Sequence, residues 1–143
     1  MRRGYSTRVP AYRGRQSYTG PDLGTVLRVL DRDGHACVRC GKALRGDRGL
    51  DWSLQHRKPR GMGGTSDPAI NAASNLLSVC GSGTTGCHGY MESERTEAED
   101  KGWLIRRLPT AHPLTEPVLV ARESRWVYLT DDAQYADNPP EET

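Results

Sequence analysis

The chain has 143 residues, of which 35% are hydrophobic, with no Phe and a formal net charge of +2. That length suits one domain with one modest core, and so little apolar material predicts that something besides packing helps to hold it. No apolar run approaches the ~20 residues that cross a bilayer, and residues 1–20 have no hydrophobic segment of the secretory type. A membrane partner is therefore not expected, and the expected setting is the reducing cytosol.

In chain order, residues 1–20 hold Arg2, Arg3, Arg8, Arg13 and Arg15 with no acid, among Tyr5, Tyr12 and Tyr18. They read as a flexible basic arm, either a phosphate-contacting segment or a solvated tail. A compact unit begins near Asp22. Residues 25–31 read as a short helix with Val26, Leu27 and Leu30 on one face, Asp22 as its cap and Gly34 at its end. Cys37-Val-Arg-Cys40 reads as a tight knuckle. Residues 51–57 alternate as a strand, with Trp52, Leu54 and His56 on one face and Ser53 and Gln55 on the other.

Residues 58–73 form a long loop rich in Gly, Pro, Ser and Asn, a kind of segment that is functional or disordered in a small domain. A short apolar stretch at 75–80 and a Gly/Ser/Thr turn at 81–86 follow. Residues 87–101 read as one helix, stopped by Gly102. Residues 103–108, 117–121 and 126–130 read as strands. Asp131, Asp132, Asp137, Glu141 and Glu142, with no base among them, mark 131–143 as a disordered acidic tail.

Two constellations carry chemistry. A two-residue gap lets one turn present Cys37 and Cys40 to one ion, and the turn between Cys80 and Cys87 brings its ends together, so the four cysteines read as a structural zinc site. Disulfides and unrelated buried thiols are the alternatives. The other constellation is Leu54-Gln-His-Arg-Lys-Pro-Arg-Gly-Met-Gly-Gly64, then Ser74-Asn-Leu-Leu77, then Gly86-Cys-His-Gly-Tyr-Met-Glu92.

With the CxxC pair before it, this order resembles the HNH, or ββα-metal, endonuclease family over about residues 25–107, particularly its zinc-stapled members from bacteriophages and their actinobacterial hosts. The resemblance implies an α+β fold: a small ββα-metal core at 22–108 with a four-cysteine zinc site, a short N-terminal helix, and C-terminal strands at 109–130. It implies that His56 takes a proton from water as general base. Asn75 ties down the loop, and His88 holds a catalytic divalent ion, which is magnesium, manganese, nickel or zinc.

The position before the base, usually Asp or His, is Gln55 here, so the ion's second ligand is either Gln55 or Glu92, which follows His88 by one helical turn. Arg57, Lys58 and Arg60 place positive charge beside the base and read as contacts to the flanking phosphates, or as a solvated loop. The implied substrate is DNA, and the implied setting a phage-infected bacterial cell with packaging proteins as possible partners, the chain acting as a monomer or weak dimer. The alternative is a non-catalytic zinc module that binds nucleic acid or protein.

Overall fold

Asp22 does cap the first helix: its Oδ1 accepts from the Thr25 amide at 2.7 Å, and helix α1 spans Leu23–Arg32. A computed structural model describes residues 19–59, 68–106 and 110–141; the basic arm up to residue 18 and Arg60 lie outside them. The buried stripe of α1 is Val26, Val29 and Leu30, whereas Leu27 is exposed. At about 100° per residue, 26, 29, 30 and 33 line one face, and 27 falls beside exposed Leu23 on the other.

The stripe ends in buried Asp33, which accepts both prongs of the Arg32 guanidinium at 2.9 and 3.1 Å. Arg32 also donates to the carbonyls of Ala73 and Leu76, so the helix end is stitched to the segment that leads into the buried strand beginning at Leu76.

Strands β1 (Trp52–His56) and β2 (Leu76–Cys80) pair antiparallel, with Ser53 opposite Val79, Gln55 opposite Leu77 and His56 opposite Leu76. Leu54 and Leu76 pack with Val26, Val29, Ala73 and Ala133 on one side of this hairpin. Leu77 and Val79 pack with Cys37, Val38, Met91 and Trp103 on the other. Both faces are therefore covered, which is why all five residues of β2 are buried. The segment expected to be a plain loop forms 3-10 turns at Pro68–Asn71 and Ala73–Asn75.

The single helix expected over 87–101 is two: α2 (Gly86–Ser93) and α3 (Arg95–Asp100), broken at Glu94, whose φ of −100° and ψ of 61° leave the helical region. Its polar surface carried no sign of the break. Residues 103–105 are buried but do not form the expected strand. The Trp103 and Leu104 amides close the end of α3 on the Ala98 carbonyl, and the Ile105 amide donates to Arg57 O. Their backbone groups are thus taken before a ladder can form.

A second sheet has the order β3 (Val118–Val120), β4 (Arg125–Leu129), β5 (Tyr135–Ala136). β5 corrects the expectation of a disordered tail at its beginning: it pairs with β4, Ala133 is buried, and the Tyr135 hydroxyl donates to Asp33 at 2.7 Å. Val118, Val120, Val127 and Leu129 belong to the same core as Leu77 and Met91, so the C-terminal strands complete the domain. No helix among the described residues is long and apolar enough to cross a membrane.

Candidate functional site

The four cysteine sulfurs all lie within 4.8 Å of one another, and none is bridged to another. Cys40 Sγ and Cys80 Sγ are 3.8 Å apart. A disulfide needs about 2.05 Å, whereas a tetrahedron with metal–sulfur bonds of about 2.3 Å has edges of about 3.8 Å. The cluster therefore has the size of a metal-binding set.

Local sequence builds it. The Gly41 amide donates to Cys37 O and the Cys37 amide to Lys42 O, each at 2.8 Å, closing the knuckle, and the Val38 amide docks it on Ser78 O at 2.9 Å. Across the cluster, Gly81 at φ +84° turns the chain so tightly that a Cβ there would lie 2.1 Å from Thr85 O; only glycine permits this return toward Cys87. The Cys87 amide donates to Cys80 Sγ at 3.4 Å. Arg39 donates to Cys87 Sγ at 3.4 Å, with its guanidinium 3.6 Å from the centre of the Tyr90 ring.

Burial pushes the Cys37 and Cys87 thiols up, with the Arg39 hydrogen bond opposing it at Cys87. Burial also raises Cys40, but the Lys42 amide and the neighbouring thiols outweigh it and the net shift is downward.

The histidine and asparagine residues meet around the hairpin. The Asn75 side chain accepts from the Lys58 amide at 2.7 Å and donates to Lys58 O at 3.1 Å and Ile70 O at 2.8 Å. It thereby pins both ends of the segment between them. His56, half-buried at the end of β1, has Nε2 2.9 Å from Asn71 Oδ1. Asn71 Nδ2 donates to Thr19 O at 2.7 Å, which sets the amide so that Oδ1 faces the ring and accepts from Nε2–H. The neutral ring then carries its lone pair on Nδ1.

His88 opens α2 next to Cys87, with Nδ1 2.6 Å from Ser53 Oγ. Burial holds its imidazole below the ordinary value; the charge of Glu92 opposes this, and that of His56 adds to it. Glu92 is exposed and 3.5 Å from Arg95. Gln55 faces the same side of β1 as Ser53; it is fully buried, and neither atom of its amide has a hydrogen-bond partner among the described residues. No other group of three His, Cys, Asp or Glu side chains comes together among the described residues as the cysteines do.

Arg57 overturns its expected role as a phosphate contact. It is fully buried and donates to five backbone carbonyls: Gly102, Ser74, Pro113, Glu116 and Pro117. A guanidinium offers five donors in a plane, and here each meets a carbonyl that β pairing leaves over. Burial, with the charge of Arg32 adding, lowers it to about 9, so it stays charged at neutral pH. Arg57→Met strands those carbonyls and is expected to cost about 3–5 kcal/mol, read as a lower denaturant midpoint.

Among the described residues, one of the three ammonium donors of Lys58 is engaged, on Ala111 O at 3.2 Å, which leaves donors for an anion. Ser53, Asn71 and Arg39 were missed from sequence; the alternation of β1 placed Ser53 on Gln55's face, but nothing signalled the contacts of Asn71 or Arg39. Compared with known protein families, with curated proteins and with solved structures, this chain matches none.

Proposed function

We propose that this chain is a metal-dependent endonuclease of the HNH type that hydrolyses phosphodiester bonds in DNA. The observation that carries the reading is the β1–β2–α2 succession, with His56 at the end of β1, His88 in the first turn of α2, and the loop between the strands pinned at its ends by Asn75. On this reading His56 Nδ1 accepts the proton of the attacking water while Asn71 holds the opposite edge of the ring. Lys58 steadies a flanking phosphate, and Arg57 fixes the backbone beside the base.

The four cysteines hold a structural zinc ion: a set of four thiolates leaves no open position for substrate. For a second, catalytic ion, His88 would supply an imidazole, with the second ligand either the Glu92 carboxylate or the buried amide of Gln55. Bound there, such an ion would supply positive charge for a phosphate and a departing 3′ oxygen.

The test is supercoiled plasmid incubated with the zinc-loaded chain and magnesium, manganese or nickel. Metal-dependent conversion to nicked circles that disappears in His88→Ala is the expected result. DNA binding without cleavage in every metal would overturn the reading and leave a zinc-stapled binding module. That rival is favoured by one observation, the complete burial of Gln55 where the family's pattern has a stronger ligand. Binding has its own signature: Lys58→Ala is expected to reduce the slope of log affinity against log salt by about 1, uniformly across DNA sequences.

A further inference from the structure

A hydroxyl group has one proton to give. Ser53 Oγ gives its proton to Gly81 O, 2.8 Å away, and this carbonyl can only accept. The second contact of the same oxygen, 2.6 Å to His88 Nδ1, must then run the other way, with Nδ1–H as donor. We infer that Ser53 is a positioning residue that holds His88 in the Nδ1–H tautomer and so presents the Nε2 lone pair as the ligand atom.

The neutral imidazole of histidine in water favours the opposite form, with its proton on Nε2, so the fold imposes the less common one. Metal-ligating histidines are characteristically held in this way through their other nitrogen. Ser53 is buried on β1, and its position depends on ladder pairing with Val79. Both ends of the relay are covalently attached to the cysteine cluster: Gly81 follows Cys80 and His88 follows Cys87. The turn that gathers the thiolates therefore also supplies the carbonyl that sets the ring.

The inference rests on the reading of His88 as a metal ligand, yet its decisive measurement needs no cleavage. Long-range proton–nitrogen spectra of the zinc-loaded, nitrogen-15-labelled full chain report which ring nitrogen carries the proton, with His88→Gln to assign the signal. Wild type is expected to show Nδ1–H at His88, and Ser53→Ala to shift the ring to Nε2–H with zinc content at the cysteines unchanged. Manganese titrated into the zinc-loaded chain is expected to bind about 10–100-fold more weakly in Ser53→Ala, with Ser53→Thr restoring both properties.

A wild-type ring protonated on Nε2 would overturn the inference, whether or not Ser53→Ala folds. So would a Ser53→Ala ring with unchanged tautomer and manganese affinity. A wild type that shows the expected tautomer but never nicks plasmid would instead count against the nuclease reading alone.

Discussion

Stripping the metal from Cys37, Cys40, Cys80 and Cys87 is expected to unfold most of the domain. Three of these cysteines are buried in the main core beside Leu77, Met91, Trp103 and Val118, so the cluster is also where the knuckle, the hairpin, α2 and the C-terminal strands are joined. Structural zinc sites contribute on the order of 10–16 kcal/mol of binding free energy, as much as or more than the net stability of a typical domain.

Far-ultraviolet circular dichroism after chelation should show loss of structure at room temperature, and Cys80→Ser should reproduce it. A chelated sample whose melt is unchanged would refute the structural role. The pH dependence has a definite sign. Burial pushes Cys37 and Cys87 up, so metal binding must expel their protons, and affinity falls as pH falls. Acidification should therefore release the ion, as followed with a chromogenic chelator.

If the chain is the nuclease proposed above, His56→Ala should leave the fold intact and lower the single-turnover nicking rate by about 10²–10⁴-fold, the usual contribution of a positioned general base. The side chain is half-buried at a strand end and belongs to neither core cluster, so its loss leaves no large cavity. Asn71→Leu, which removes the acceptor for Nε2–H, should give a smaller fall in rate. Nicking by His56→Ala at the wild-type rate would remove this residue from the chemistry.

Local features of this fold are legible in the sequence. The Asp22 cap, the alternation of β1, the cysteine spacings and the glycine turn before α2 each depend on residues a few positions apart. The α+β class, which the family resemblance implied, agrees with the three α-helices and two small antiparallel sheets of the described residues. What escaped depends on partners far along the chain. A charged residue after a candidate base reads as a surface group, and only the return of residues 113–117 makes Arg57 a buried one.

The same holds for the acidic segment. Asp131 looks like solvated charge until Ser74 donates to it at 2.6 Å, 57 positions away. Trp103, Leu104 and Ile105 have strand-like side chains, but their amides are claimed by Ala98 and Arg57, a competition that hydropathy does not register. The shared polarity of α2 and α3 likewise hid the kink at Glu94.

The Arg57 clamp has a consequence for synthesis. Its carbonyl partners at Pro113, Glu116 and Pro117 leave the ribosome more than fifty residues after His56 itself. Until they emerge, a guanidinium destined for the interior has only the carbonyls of Ser74 and Gly102 to meet. A nascent or truncated polypeptide ending before Pro113 would thus hold the sequence motif without the full set of carbonyls that seats Arg57.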